Sequence, residues 1–468
     1  MTDLGRGTLT AKATAAAIVA QHLVLVLPST GEFDSRSYRI ARALIDRGHR
    51  VTMLARWKAG LPLEEDDPNG YRIVRVKAST VDGLPLPGLR RLAGRILRRL
   101  HALRSAGRVA PGRRSVAPAT RATESVSAGP ARRASLARRA WTAAIRRLAI
   151  PLTLRSHIRA ARATGIHGDL YHGMAYMGIP IALDLGRRDR VPVVYDARDI
   201  YLEARNLAGS RGSTRWLAAR AERHWAARSA RVFTVNDAYA DVMAKRLRVE
   251  RPLVVMNCSY RREPRDPRER RFHERFGLDP AVKVVLYHGG LFPHRGIEQL
   301  FEAMAGLPAG IALVLMGYGV LESELRQRAA EPSHAGRVWM MNAVPPADLL
   351  DWVASADVAA MPIQASTLNH RLTTPNKLFE AMAAGVPSVV SDLPGMATIV
   401  RETGCGILVD PARPAAIAAA IREIADLPDA DWLAWRRRCI AAAHDRYSWE
   451  TQVGRLIEEY GRLTGHPW

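Results

Sequence analysis

Short apolar runs alternate with amphipathic stretches along most of this 468-residue chain. The first run, Leu23-Val24-Leu25-Val26-Leu27, is followed by a loop from Pro28 to Asp34, an amphipathic segment from Ser35 to Arg47, and then "GHRVTMLAR". A run without polar interruption predicts a strand covered on both faces, and apolar spacing near 3.6 predicts a helix. Gly48 stands where helices commonly end in a left-handed residue, so this stretch predicts strand, helix and parallel strand. Tyr71 to Lys77 predicts a third strand. The alternation resumes with "GDLYHGM", "VPVVYDARDIY", a helix over Trp216 to Ala230, "RVFTVN", a short helix from Asp237, and "PLVVMN". The charged, proline-containing segment from Tyr260 to Arg271 reads as a linker. A second series follows: "VKVVLYHGG", a helix from Gly296, "IALVLMGYG", "RVWMM", "VAAMPI", a helix over Asn376 to Ala384, and "VPSVVS". Two such series predict an α/β chain with two doubly wound parallel sheets, whose ligands lie in the cleft at the carboxyl ends of the strands. The expected division is 1–262, 263–445, and a closing amphipathic helix over 446–468 that is free to cross back to the first domain.

Charge changes this picture in one place. The formal net charge is +24, yet the stretch from Arg90 to Arg162 holds nineteen Arg, no Lys and the single acid Glu124. The region at about 84–163 therefore reads as a basic insert in the first domain. Its ends space Leu, Ile and Trp at helical intervals among Arg. Its middle, about Ser105 to Ala137, has too few large apolar residues to offset its ordering entropy and is expected to be disordered. The flanking helices suit an anionic membrane surface, and a merely solvated insert is the plain alternative. Cys258, Cys405 and Cys439 lie far apart and match no disulfide or metal-ligand spacing, which predicts a reducing cytosol. The long uncharged stretch Ala303 to Leu321 contains four Gly and one Pro and splits into helix, turn and strand, so no membrane span is predicted.

The most informative segment is "TTPNKLFEAMAAGVPSVVSD". Pro375 suits the first turn of a helix, where its missing N–H is no loss. The free N–H groups of that turn would face an anion such as a diphosphate. Glu380 lies further along the same helix, where a carboxylate can accept hydrogen bonds from both hydroxyls of a ribose. Thr373, Thr374, Asn376 and Lys377 stand around it. Arg295 offers bidentate donors to phosphate oxygens. Gly317-Tyr318-Gly319 ends a strand at a tight turn. In the first domain Gly31 permits close backbone approach, and Asp34 and Arg36 either orient hydroxyls or, for Asp34, cap a helix. His172 ends a strand and is either structural or catalytic, and Asp199 is a candidate acceptor contact.

Together with "GGLFPHRGIEQL", "MGYG" and "GVPSVVSD", this segment resembles the donor half of the family-4 retaining glycosyltransferases (glycosyl transferases group 1) over nearly all of the second domain. The resemblance implies the GT-B fold and transfer of a sugar from a nucleotide-diphosphate donor to a hydroxyl acceptor with retention, in cell-surface glycan, polysaccharide or glycolipid assembly. It assigns Glu380 to the donor ribose, Arg295 to the diphosphate, Gly317 and the backbone of Val344 to the nucleotide, and Gly31, Asp34 and Arg36 to the acceptor side. Two departures matter. Leu372 stands where many relatives carry a sugar-binding glutamate, with Asn369 and Thr373 as the nearest polar residues. Gly289-Gly290 replaces the usual Arg after the first strand of this domain. "GDLYHGM" is similar to the family's Asp-x-x-His-x-His segment, with His172 kept and Met174 in the second position, and "YDARDIY" carries Arg198 in place of a His. No Asp-x-Asp metal motif accompanies these segments, so no metal cofactor is expected. The expected partners are the nucleotide sugar, a saccharide or lipid-linked acceptor, and the inner face of the plasma membrane from the cytoplasmic side. A nucleotide-sugar 2-epimerase on the same scaffold is the alternative. A nucleic-acid role for the insert is disfavoured by its single Trp and lack of a stacking series.

Overall fold

The computed structural model describes residues 19–32, 34–80, 82, 150–204, 212–265 and 268–468. The predicted disorder of Ser105 to Ala137 lies outside the described residues.

The first sheet contains β1 (His22–Val26), β2 (Arg50–Arg56), β3 (Glu64–Asp66), β4 (Arg72–Val76), β5 (Leu170–Met174), β6 (Val193–Asp196), β7 (Arg231–Thr234) and β8 (Leu253–Val254), in the order β3-β4-β2-β1-β5-β6-β7-β8. All its pairings are parallel except β3 with β4. β1 lies between β2 and β5, which is the switch point of the sheet. The pleat explains the unbroken apolar run of β1. Leu23, Leu25 and Leu27 enter one buried cluster and Val24 and Val26 the other, because successive side chains leave opposite faces and both faces are covered.

The second sheet, β9 (Lys283–Gly290), β10 (Ile311–Tyr318), β11 (Val338–Met341), β12 (Val358–Met361), β13 (Ser388–Ser391) and β14 (Gly406–Val409), has the order β11-β10-β9-β12-β13-β14 and is wholly parallel. β9 divides its side chains in the same way, Val284 and Leu286 to one core and Val285 and Tyr287 to the other. The closing helix Trp449–Thr464 belongs spatially to the first sheet. Trp449, Val453, Leu456 and Tyr460 recur at helical spacing and are buried with Leu23, Leu25 and Phe233. The chain returns beside its own linker, where Ser259 bridges Ser448 and Trp449 N donates to Ser259 O at 2.7 Å.

Part of the region read as insert belongs to the domain proper. Residues 150–163 are helical, with Ala161 buried in the core that holds Val24, Val26 and Tyr171, and Leu154 and Ile158 packed on it. Ser79 N donates to Ser156 Oγ at 3.2 Å, which brings the two ends of the region together. β3 escapes an apolar-pattern reading because Glu64, Glu65 and Asp66 are all exposed. It is an edge strand held by ion pairs of Arg72 with Glu64 and of Arg75 with Glu65.

Candidate donor cleft

The carboxyl ends of the two sheets face each other across a cavity of about 550 Å³. Arg36, Arg198, Asp199, Tyr239 and Asn257 line it from the first domain. His288, Arg295, Val344 and residues 373–377 with Glu380 line it from the second. This is where doubly wound sheets place their ligands.

Three local features build the second wall. The helix Asn376–Ala384 begins one residue after Pro375, which is its N-cap in extended conformation, so the proline sits just outside the first turn. Leu378, Phe379, Met382 and Ala383 bury one side of that helix and leave Asn376, Lys377 and Glu380 on the cavity side. Gly317 lies against β9: a Cβ on it would fall 1.9 Å from the Gly289 carbonyl oxygen, so only glycine lets the two strand ends run so close. Gly317 shapes the wall from behind and does not itself line the cavity. Gly296 adopts a left-handed φ of 78° ahead of the helix Ile297–Met304. A Cβ there would meet Pro362 O at 1.9 Å, so glycine fixes the turn that presents Arg295.

The electrostatics of this wall are those of an anion site with one anchored carboxylate. Glu380 is buried, and its Oε2 contacts His288 Nε2 at 2.9 Å while Oε1 lies 3.8 Å from Arg39 of the first domain. Burial alone would raise its carboxyl. The hydrogen bond and charge of His288, with Arg39 and Lys377, outweigh burial and hold it below the usual glutamate range. Lys377 Nζ lies 3.6 Å from the centroid of the Tyr287 ring. Desolvation first, and then the Arg295 charge, lower its ammonium well below the usual lysine range, with Glu380 pulling the other way. At Gly289, which replaces an Arg in the resemblance, a Cβ would stand 3.8 Å from Lys377 Nζ, so the lysine lies alongside that position.

Contacts across the cleft hold the two walls together. Asn236 Nδ2 donates to Leu372 O at 2.8 Å and to Thr374 Oγ1 at 3.2 Å, and Asn257 Nδ2 donates to Asn376 Oδ1 at 2.9 Å. Asn369, a nearest polar neighbour of Leu372, donates to Asp199 Oδ1 at 3.0 Å and accepts from Tyr239 Oη at 2.6 Å. Thr373 lines the cavity itself.

On the first wall the sequence expectations divide. Arg36 and Asp199 line the cavity. Gly31 and Asp34 do not. Gly31 accepts from the Tyr38 hydroxyl. Asp34 caps the helix Ser35–Ile45 by accepting from Ser37 N at 3.2 Å and also takes Arg198 Nη1 at 2.6 Å, so its carboxylate is already engaged. His172, read as either structural or catalytic, does not line the cavity. It is fully buried, with Nδ1 2.5 Å from Tyr460 Oη, Nε2 3.2 Å from Asp196 Oδ2 and its ring stacked on Phe233. The pleat of β5 turns it to the face that the closing helix covers. It reaches the cavity only through Asp196 and Arg36, which are joined at 2.6 Å. Burial lowers its imidazole, and Asp196 offsets this in part.

The pattern missed His288, Arg39, Tyr239 and Asn257. His288 alone left a trace, as the one polar residue between the apolar run of β9 and its glycines. The other three reach the site by packing of distant segments.

Two α/β domains with parallel sheets, facing across a cavity at their strand carboxyl ends, give the chain the GT-B fold. Solved structures agree over most of the length. Sucrose-phosphate synthase from Thermosynechococcus elongatus superposes with a TM-score of 0.67 at 17% identity, covering 95% of this chain and 99% of that one. Anabaena HepE in complex with UDP and glucose superposes with a TM-score of 0.63 at 16% identity, covering 95% and 100%. Residues 282–426 match the family model described as Glycosyl transferases group 1. The D-inositol 3-phosphate glycosyltransferase of Segniliparus rotundus is 29% identical over 191 residues, 39% of this chain and 41% of that protein. The GDP-mannose:cellobiosyl-diphosphopolyprenol alpha-mannosyltransferase of Xanthomonas campestris is 38% identical over 88 residues, 19% of this chain and 23% of that protein. The chain thus matches less than half the length of these curated relatives. Among the described residues no helix is long and apolar enough to cross a membrane.

Proposed function

We propose that this protein transfers a sugar from a nucleoside-diphosphate sugar to a hydroxyl of a saccharide or lipid-linked acceptor, with retention of configuration. The observation that carries the reading is the convergence of Arg295, Lys377 and the anchored Glu380 on the carboxyl end of a parallel sheet inside an interdomain cavity. Glu380 accepts the ribose hydroxyls. Arg295, Lys377 and the free N–H groups after Pro375 take the diphosphate, and Val344 offers backbone to the base. Thr373 is the polar group nearest the sugar. Arg36 and Asp199 face the acceptor, and Asp34 acts through Arg198. The family-model match over residues 282–426, within the second domain, supports this division of labour.

Retention follows in this reading from front-face attack. The acceptor hydroxyl approaches on the side of the leaving diphosphate, which takes its proton, and an oxocarbenium-like transition state is stabilised mainly by positioning and by charge at the phosphate. Arg295 and Lys377 balance the departing charge in place of a divalent ion. Turnover is accordingly expected to be unchanged by EDTA, and loss of activity restored by Mg²⁺ would reject this part. The reading places the enzyme on the cytoplasmic side in glycan or glycolipid assembly, with the basic insert toward the membrane.

The direct test is a thermal-shift panel of UDP, GDP, ADP and TDP with their sugars. One nucleotide should stand out, since saturation at 100 times Kd stabilises by about 2.7 kcal/mol. Glu380→Ala should weaken that nucleotide at least about tenfold and should no longer distinguish it from its 2′-deoxy analogue, which lacks a hydroxyl for the carboxylate. Undiminished discrimination would show that Glu380 does not hold the ribose.

A further inference from the structure

A second basic cavity, of about 450 Å³, lies at the opposite end of the second sheet from the donor cleft. Lys283, which opens β9, and Asp357, which immediately precedes β12, mark its floor. Its walls come from the linker, through Arg265 and Arg268, and from the helix Asp429–Asp445, through Trp432, Arg436 and Arg437.

Among the described residues, six cationic side chains line the cavity against two acids, Asp357 and Asp429, and Arg265 is already paired outward with Glu269 and Asp351. Asp357 is saturated: its two oxygens accept from Arg268 Nη2 at 2.8 Å and Val284 N at 2.7 Å. Asp429 is exposed in the first turn of its helix, where the macrodipole already engages a carboxylate. Arg268 and Arg436 flank the Trp432 ring at 4.5 and 6.0 Å, and Trp432 Nε1 donates to Asp357 O at 3.0 Å. The tryptophan therefore holds two guanidiniums in place. Lys283 and Arg437 have no acidic partner among the described residues. His273, also in the lining and buried, gives Nε2 to Val282 O at 2.9 Å and leaves Nδ1 without a partner.

We propose that this cavity is an anion site for a phosphate-bearing ligand, separate from the donor cleft. Lys283 and Arg437, beside the two guanidiniums already held in place at Trp432, supply the charge-assisted donors that phosphate oxygens require. The site also joins the two places where the chain passes between domains. Its linker wall continues from Ser259 and Arg261, and its helical wall leads to His444 and Ser448. Arg261 Nη2 already donates to His444 O at 2.7 Å. A bound anion spans linker and helix and stiffens both crossings.

Isothermal titration of the full chain with inorganic pyrophosphate tests this and keeps it apart from the donor reading. Wild type is expected to show two classes of site. Lys283→Glu with Arg437→Glu, both at the cavity surface, should weaken one class at least about tenfold, and Arg295→Ala should weaken the other. Loss of the Arg295-sensitive class alone from this picture would count against the donor clamp and leave the second site standing. A double variant that keeps both classes, or a class that disappears in 150 mM NaCl, would reduce the cavity to diffuse counter-ion attraction and overturn the proposal. Sedimentation with phosphatidylglycerol vesicles separates the sources. Less sedimentation by the double variant than by wild type assigns a lipid headgroup, and equal sedimentation with pyrophosphate binding lost assigns a soluble anion.

Discussion

Asp34 shows how one side chain changes meaning between pattern and structure. A carboxylate before a helix suits both a cap and a hydroxyl contact, and the fold gives it to the cap and to Arg198, 164 residues away. Burial favours its neutral form, but the Arg198 charge wins and holds the carboxyl below the ordinary value of 3.8. A depressed folded pKa contributes stability that is fully present above the unfolded value and is lost as pH falls through the folded one. Asp34→Asn keeps a good cap and removes the ion pair, so it is expected to cost about 3 kcal/mol at pH 7. The gap in melting temperature between variant and wild type should stay level down to about pH 5 and close below about pH 4. A gap independent of pH down to pH 3 would mean that the charge of Asp34 is irrelevant. Glu380 lies on the cavity side of the helix whose start its neighbours in sequence already marked. His288 gained its meaning only from the fold, since nothing in "YHGG" says that its ring meets a carboxylate 92 residues further along.

Elements with strong periodicity were legible, including the strands buried on both faces and the closing helix. Those that depend on neighbours were not. β3 is three exposed acids held by pairing to β4, and the helix Asp429–Asp445 buries only Arg436, Cys439 and Ala443 in seventeen residues, too little for a clear stripe. The helix Gly212–Ala226 carries a buried acid, Glu222, whose Oε1 accepts from Tyr195 Oη at 2.9 Å. Burial pushes its carboxyl up to about 7, against the opposing effects of Tyr195 and Arg246. Here the sign is reversed. A folded pKa above the unfolded value of 4.5 means that the charged form is destabilised in the fold, so stability falls as pH rises from about 4.5 to 7. Glu222→Gln keeps an acceptor for Tyr195 without the charge. It is expected to leave stability at pH 5 nearly unchanged and raise it at pH 8, by up to about 3 kcal/mol. Chemical denaturation at the two pH values checks this, and equal effects at both would refute it.

At the scale of the whole molecule the basic insert can be separated from the catalytic reading. Ser79 N donates to Ser156 Oγ, and residues 150–163 pack on the first sheet, so a short Gly/Ser link in place of residues 84–149 joins two stretches that already touch. That variant is expected to keep its nucleotide-induced thermal shift and to lose most of its binding to anionic vesicles at low salt, because about 1 kcal/mol per Arg near the surface is removed. Undiminished vesicle binding would remove the insert from any membrane role. The sequence by itself determined the two series of elements, the predominantly parallel character of both sheets, the confinement of excess charge to one region, and the helix start ahead of Glu380. These are local properties, written in the spacing of apolar residues and in the chemistry of a single helix start. Only the tertiary structure decided that His172 belongs to the core under the closing helix, that Asp34 serves Arg198, and that Arg39, Tyr239 and Asn257 reach across to the second domain. The face on which a strand residue emerges, and the element that covers that face, depend on packing between segments hundreds of residues apart, which periodicity along the chain does not encode.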